Sequence, residues 1–193
     1  MKFLSAAVCL CTALVFAAPS LHAAPSKAGF VDRFQLIAQL RAGEYQALED
    51  RLVRLQDAYE TGARPEDSVE HAFYGFAVSG GDLEQKLSEW VRRSPRSYAA
   101  LTARGLYYWR LAWLSRQGRY AHKTKAAQFR KMRGYFKRAR RDFKAALAIN
   151  RRLTIAYGML INIAVADGTA AERKKYLTGG LKADPASRIT LFT

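Results

Sequence analysis

The sequence predicts an all-α fold made of antiparallel helix hairpins, and three observations support this prediction. Apolar residues recur at steps of three and four along the chain, which places them on one face of a helix. No stretch alternates apolar and polar residues with the period of two that is typical of a half-buried strand. Finally, residues 143–151 are matched 34 positions later by residues 177–185, and this interval is the length of one helix-turn-helix repeat.

The first 23 residues are typical of a secretory signal peptide. Lys2 precedes an apolar run over residues 3–18, and small residues end the segment at Ala23. The run is shorter than the roughly 20 residues of a membrane-spanning helix. We therefore expect cleavage after Ala23, no membrane span in the mature chain, and a single domain over residues 24–193. An uncleaved membrane anchor is the alternative.

Cysteine usage is consistent with export. Cys9 and Cys11 are the two cysteines of the chain, and both lie in the expected signal peptide. The mature chain would then form no disulfide and present no thiolate. A periplasmic or secreted location suits such a chain, because it does not depend on the local redox state.

The first helix pair is predicted over residues 31–60. Phe34, Ile37 and Leu40 share one helix face, and a second amphipathic helix begins near Tyr45. Gly43 separates the two helices.

The second pair is predicted over residues 68–94. Pro65 occupies a position suited to a helix start, and the segment SGGD divides the pair. Asp82 and Gln85 have the spacing of a capping box, which predicts that a helix begins beside them.

The last two pairs are predicted over residues 97–149 and 153–183. The first of these contains about 22 more residues than the repeat interval requires, and we expect them to lie largely in an inserted basic loop over residues 115–128. Long loops in helical proteins are often functional, although a tolerated insertion is the alternative. In the last pair, Thr169 and Glu172 have the spacing of a capping box.

The two last pairs resemble the tetratricopeptide repeat. The matching residues of the last repeat are Tyr157, Leu160, Gly168, Leu177, Gly180 and Pro185, and those of the preceding repeat are Leu101, Gly105, Tyr108, Ala139, Phe143 and Ala146. The resemblance implies that the hairpins stack as a short tetratricopeptide-like α-solenoid.

A narrower resemblance rests on two stretches, GEYQALEDRLVRLQDAYETG and WVRRSPRSYAALTARGLYYWRLAW. These stretches are similar to the tetratricopeptide-like family described as domain of unknown function 4034, over about residues 34–187. The resemblance implies a helical repeat fold and no known activity.

Charge is distributed unevenly along the chain. Residues 24–89 carry 7 basic and 12 acidic side chains, whereas residues 90–166 carry 19 basic side chains and one acidic side chain. An ordinary soluble surface mixes both signs. The asymmetry therefore indicates an anionic partner, although an exposed charged face without a function is the alternative.

The most basic stretch, residues 129–150, combines an apolar stripe with a basic face. The apolar residues recur at helical spacing, which predicts a buried stripe of Phe129, Met132, Phe136, Ala139, Phe143 and Leu147. The cations fall on an adjoining face that we expect to be exposed to solvent. With those of the inserted loop, the candidate ligand-binding residues are Arg116, Arg119, Lys123, Lys125, Arg130, Arg133, Lys137, Arg140, Arg141 and Lys144.

No pattern in the sequence predicts catalysis, a metal site or a cofactor. His71 and His122 are the two histidines after the signal peptide, and neither belongs to a motif with zinc-ligand spacing. Trp109 and Trp113 lie one helical turn apart near arginines and so have the spacing to stack on a base or sugar, but packing against the next helix is favoured.

These observations predict a non-enzymatic, periplasmic or secreted binding or scaffold protein with a basic surface. The expected partner is an acidic protein segment or an anionic envelope polymer. Binding of a polyanion, including nucleic acid, is an alternative, but export argues against a genomic role. Self-association of the acidic first block with the basic middle of another copy, and an enzyme of unknown type, are further alternatives.

Overall fold

The computed structural model describes residues 31–78, 80–116 and 124–191. Within these ranges it contains nine α-helices and no strand, which confirms the all-α prediction. The expected signal peptide and its cleavage position lie outside the described residues. The helices are α1 (Arg33–Ala42), α2 (Tyr45–Glu60), α3 (Glu66–Tyr74), α4 (Gly81–Arg93), α5 (Tyr98–Ser115), α6 (Ala126–Ile149), α7 (Thr154–Asp167), α8 (Ala170–Ala183) and α9 (Arg188–Leu191).

The helices pack as successive hairpins in a solenoid-like arrangement. The most extensive contacts join α5 to α6 and α7 to α8, and α6 also packs on α7. Gly105 allows the close approach of α5 and α6, because a Cβ atom at this position would lie 2.7 Å from Cε1 of Phe143. The core therefore runs through the whole stack, with α5 buried on most of its sides.

Local sequence signals explain several helix ends. Gly43 ends α1 in the left-handed conformation, with φ of 77°, which glycine adopts without strain. Thr169 and Glu172 form the predicted capping box at the start of α8. The predicted capping box of Asp82 and Gln85 is wrong, because α4 already begins at Gly81 and the Asp82 carboxylate accepts a hydrogen bond from Arg41 at 2.8 Å.

Two further expectations need correction. The inserted loop is shorter than predicted at both ends, since α5 extends to Ser115 and α6 begins at Ala126. Phe34 is not part of the core: it is 83% exposed, whereas Leu36 and Leu40 on another side of α1 are buried. This register follows from the partners of α1, because α2, α3 and α4 all pack against it and enclose the Leu36 side.

Hydrogen bonds join the first helices to the last part of the chain. Glu66 accepts hydrogen bonds from the backbone N–H groups of Arg188 at 2.8 Å and of Ile189 at 3.3 Å. Tyr59 donates to the carboxylate of Asp184. Helix α9 was not predicted, because its first N–H groups depend on a carboxylate more than 120 positions away in sequence.

Candidate functional site

Helix α6 presents a line of cations to solvent. Arg130, Arg133, Lys137, Arg141 and Lys144 are exposed and recur at steps of three and four, so they form one stripe, which we call the basic stripe. The opposite side of the helix is buried through Met132, Phe136, Ala139 and Phe143. From Arg130 to Lys144 the stripe is about 21 Å long at about 1.5 Å per residue.

Arg140 does not belong to this exposed surface, contrary to the prediction. Its side chain is only 19% exposed, and it donates hydrogen bonds to the carboxylate of Asp167, at 3.3 Å, and to the backbone carbonyl of the same residue. The reason is its spacing, since it lies four residues after Phe136 and three before Phe143 and so borders the buried side. Arg140 therefore holds α6 against the end of α7.

Residues 129–150 contain eight cations and a single acid, Asp142. Asp142 is buried. Its carboxylate accepts two hydrogen bonds from Arg104 of α5, at 2.7 and 2.9 Å. Burial alone would lower the pKa of Arg104, but the hydrogen bonds and the negative charge of Asp142 outweigh it and raise that pKa. Arg141 remains 68% exposed and approaches Asp142 only at 3.5 Å.

Two depressions adjoin the end of the basic stripe, between α6, α7 and α8. They share Leu147, Tyr157 and Gly179, and their volumes are about 490 and 320 Å³. Together we call them the basic groove. Its cations are Lys144, Arg151, Arg152, Lys175 and Lys182, and its other lining residues are Leu147, Tyr157, Tyr176, Gly179 and Ala183.

Lys144 belongs both to the basic stripe and to the groove, so the two surfaces are continuous. None of the described residues that line the groove is acidic. Arg152 is held from outside the groove, because its guanidinium lies 3.7 Å from the carboxylate of Glu60. Lys144, Arg151, Lys175 and Lys182 form no ion pair with any described residue.

The groove depends on a close contact between α7 and α8. A Cβ atom at Gly179 would lie only 2.6 Å from Cε1 of Tyr157, so the absence of a side chain lets the tyrosine ring lie against α8. Leu147 of α6 lies beside it. The floor is therefore apolar while the surrounding charges are positive.

The cations predicted at the start of α6 lie far from this groove. Lys125 directly precedes α6 and is exposed, which places it about 28 Å along the helix from Lys144 at about 1.5 Å per residue. Arg116 lies over the ring of Trp113, 5.5 Å from its centroid. Arg119 and Lys123 lie outside the described residues.

The two tryptophans are partly buried and pack against the neighbouring helices, as favoured from the sequence. Trp109 donates a hydrogen bond to the side chain of Asn162 at 2.8 Å. Trp113 meets the ring of Phe136 edge to face, with centroids 5.6 Å apart. Their contacts therefore join α5 to α6 and α7.

Among the described residues there is no group of three or more His, Cys, Asp or Glu side chains that could hold a metal ion. His71 lies on α3 and is half-buried, and His122 lies outside the described ranges. No helix within the described part of the chain is long and apolar enough to cross a membrane.

Comparison with protein families decides the relationship of the chain. The family model named Domain of unknown function (DUF4034) matches residues 33–183. The chain belongs to this family. The DUF4034 region covers α1 to α8 and so contains both the basic stripe and the basic groove. Comparisons with curated proteins and with solved structures found no match.

Sequence reasoning missed part of the groove in the DUF4034 region. Arg151, Lys175 and Lys182 were not among the predicted site residues, although Lys175 and Lys182 are seven positions apart and so share a face of α8. The spacing alone did not identify them, because their proximity to Lys144 depends on how α8 packs on α7 and α6.

Proposed function

We propose that this chain is a non-enzymatic binding protein that holds an acidic segment of a partner protein on the basic stripe and the basic groove. The observation that carries the proposal is the groove itself, where cations converge from α6, from α8 and from the turn before α7 without an acid among the lining residues. Complementary charge speeds association and discriminates between partners.

The apolar floor favours a protein segment over a uniformly charged polymer. Leu147 and the ring of Tyr157 offer contacts to apolar side chains, whereas a polyanion would use only the cations. Stacked helix pairs commonly bind extended segments on such surfaces. An anionic envelope polymer and a nucleic acid are therefore competing outcomes of the test.

Self-association through the acidic first block is less well supported, because many of its acids have partners within the chain. Glu60 pairs with Arg152, and Glu84 accepts a hydrogen bond from Arg138 at 3.1 Å. The other acids of this block that pair with cations are Asp67 with Arg188, Asp82 with Arg41 and Glu89 with Arg93. These pairs reduce the negative charge that the block could offer to a second copy.

We place this function in the periplasm or outside the cell. The support is the signal-peptide pattern of the first 23 residues and the absence of cysteine from the rest of the chain.

The test replaces three cations of the basic stripe, Arg133, Lys137 and Lys144, with glutamine. All three are exposed and form no ion pair with a described residue, so the fold should be retained. Binding of a labelled glutamate-rich peptide, followed by fluorescence anisotropy, should weaken about tenfold if each exposed ion pair contributes about 0.5 kcal/mol.

A matched control changes three exposed arginines outside the basic stripe, Arg54, Arg92 and Arg96, to glutamine. This variant loses the same charge but should bind the peptide nearly as the parent does. Equal weakening in both variants would mean that net charge alone attracts the peptide. Tight binding of heparin or nucleic acid without binding of the peptide would show that the ligand is a polyanion and not an acidic protein segment.

A further inference from the structure

We propose that the basic groove anchors one large apolar side chain, preferably aromatic, of the acidic segment, while carboxylates on either side of it contact the surrounding cations. This inference rests on the proposed function and specifies which acidic segments bind. It follows from the apolar floor, the arrangement of the cations and one hydroxyl group.

The floor of the groove is formed by Leu147, the ring of Tyr157 and the backbone at Gly179. These groups come from three different helices that the core already fixes. The two depressions, of about 490 and 320 Å³, are each large enough for a small ligand, and so either accommodates a single aromatic side chain. Aromatic side chains bury a large area and are enriched among the residues that contribute most of the binding energy at such contacts.

The cations surround this floor on more than one side. Lys144 lies on α6, Arg151 in the turn between α6 and α7, and Lys175 and Lys182 on α8. A segment that places one side chain on the floor therefore has cations within reach both before and after that residue. Carboxylates that flank the anchor would meet these cations, whereas a basic or neutral segment would leave them without a partner.

The hydroxyl group of Tyr157 supplies a polar contact at the floor. Tyr157 lines both depressions, and no hydrogen bond joins its hydroxyl to another described residue. In contrast, Tyr59, Tyr107 and Tyr108 each donate a hydrogen bond within the protein. A backbone carbonyl or a carboxylate of the bound segment is a suitable acceptor for this donor.

The first experiment leaves the protein unchanged and varies the peptide. Two labelled peptides are compared with the full chain by anisotropy, one of glutamates with a central phenylalanine and one with alanine in its place. The phenylalanine peptide should bind at least about tenfold more tightly, as expected for the loss of an anchor residue. If the two peptides bind equally, the anchor is overturned while the proposed function stands; if neither binds, the proposed function fails as well.

The second experiment locates the anchor. Gly179→Ala places a methyl group where the ring of Tyr157 lies, so it should abolish most of the preference for phenylalanine while the alanine peptide binds as before. The matched control is Gly134→Ala, an exposed position on α6 where an added Cβ meets nothing within 4 Å. That control should keep the full preference.

Leu147→Ala provides a second route to the same result, because it removes part of the floor without adding atoms. Thermal unfolding of each variant establishes that it is folded before binding is measured. A preference for phenylalanine that survives in both Gly179→Ala and Leu147→Ala would place the anchor elsewhere and overturn the inference.

Discussion

Asp142 carries a buried negative charge on a helix whose outer surface is cationic. Its side chain is 1% exposed, and both oxygens accept hydrogen bonds from Arg104. A two-point contact of this kind fixes the orientation of both side chains. Asp142 thus sets how α6 lies on α5, and thereby which side of α6 faces solvent.

Replacing Asp142 with asparagine should destabilise the protein by roughly 3 to 5 kcal/mol, because it leaves the half-buried charge of Arg104 without its partner. Urea unfolding followed by circular dichroism measures this change. The double variant with Arg104→Met should recover much of the loss, since it removes both charges. An unchanged free energy of unfolding in the single variant would show that the pair has no structural role.

Glu70 should make stability depend on pH. Burial raises its pKa above the ordinary value of 4.5, the charges of Asp67 and Glu66 raise it further, and Arg188 opposes them. The pKa of Glu70 is therefore higher in the folded protein than in the unfolded chain. Its contribution to the free energy of unfolding is fully present at pH values below the unfolded pKa and is lost as the pH rises through the folded pKa.

Glu70→Gln should therefore raise the melting temperature near neutral pH and leave it almost unchanged in a buffer well below the ordinary pKa of glutamate. Thermal unfolding at the two pH values measures this. An equal effect of the substitution at both values would show that ionisation of Glu70 is not involved.

Helix α6 shows which features of an element the sequence can predict. Its apolar stripe was predicted correctly, because the spacing of Met132, Phe136 and Phe143 depends only on helix geometry. The pairing of Arg140 with Asp167 was not predicted, since it depends on where α7 ends. Phe34 was wrongly placed in the core for a similar reason, because the neighbours of α1 determine which of its apolar residues are buried.

The groove was missed for the same physical reason. Lys144 was predicted as a site residue from its own helix, but Arg151 and Lys182 join it only through the packing of three helices. Sequence spacing describes one helix at a time. Sequence spacing therefore predicted the basic stripe, but Lys144 was the one groove cation among the predicted site residues.

Phe143→Ala should destabilise the protein by roughly 3 to 5 kcal/mol, because the ring is fully buried between α5 and α6 and its loss leaves a cavity. The adjacent exposed residue provides the control, since Lys144→Ala should change the free energy of unfolding by less than about 0.5 kcal/mol. Chemical denaturation of both variants makes the comparison. Similar losses in both would contradict the assignment of buried and exposed sides of α6.

The molecule as a whole uses most of its acids internally and leaves cations at the surface. The chain carries 32 basic and 16 acidic side chains, a net charge of +16. Several acids of the first helices bind the last part of the chain, as Glu66 does with the backbone at Arg188 and Ile189. Helix α6 and the groove carry many of the exposed cations and few acids, so an acidic partner would meet little repulsion there.

The proposed export would determine which partners the chain meets. We expect the protein isolated from the envelope or the medium to lack its first 23 residues, because the apolar run and the small residues at its end are typical of a cleaved signal peptide. Intact mass spectrometry measures this directly. A protein that still carries Cys9 and Cys11 would contradict both the expected location and the absence of cysteine from the mature chain.

The most direct test of the central claim locates a bound acidic peptide by zero-length crosslinking. A carbodiimide joins carboxylates to lysines only where the two are in contact, and mass spectrometry identifies the modified lysines. We expect crosslinks at Lys137 and Lys144 on the basic stripe and at Lys175 and Lys182 in the groove, with Lys86 of α4 as the internal control. Crosslinks confined to Lys86, or spread evenly over all exposed lysines, would contradict the claim that the basic stripe and the groove form the binding surface.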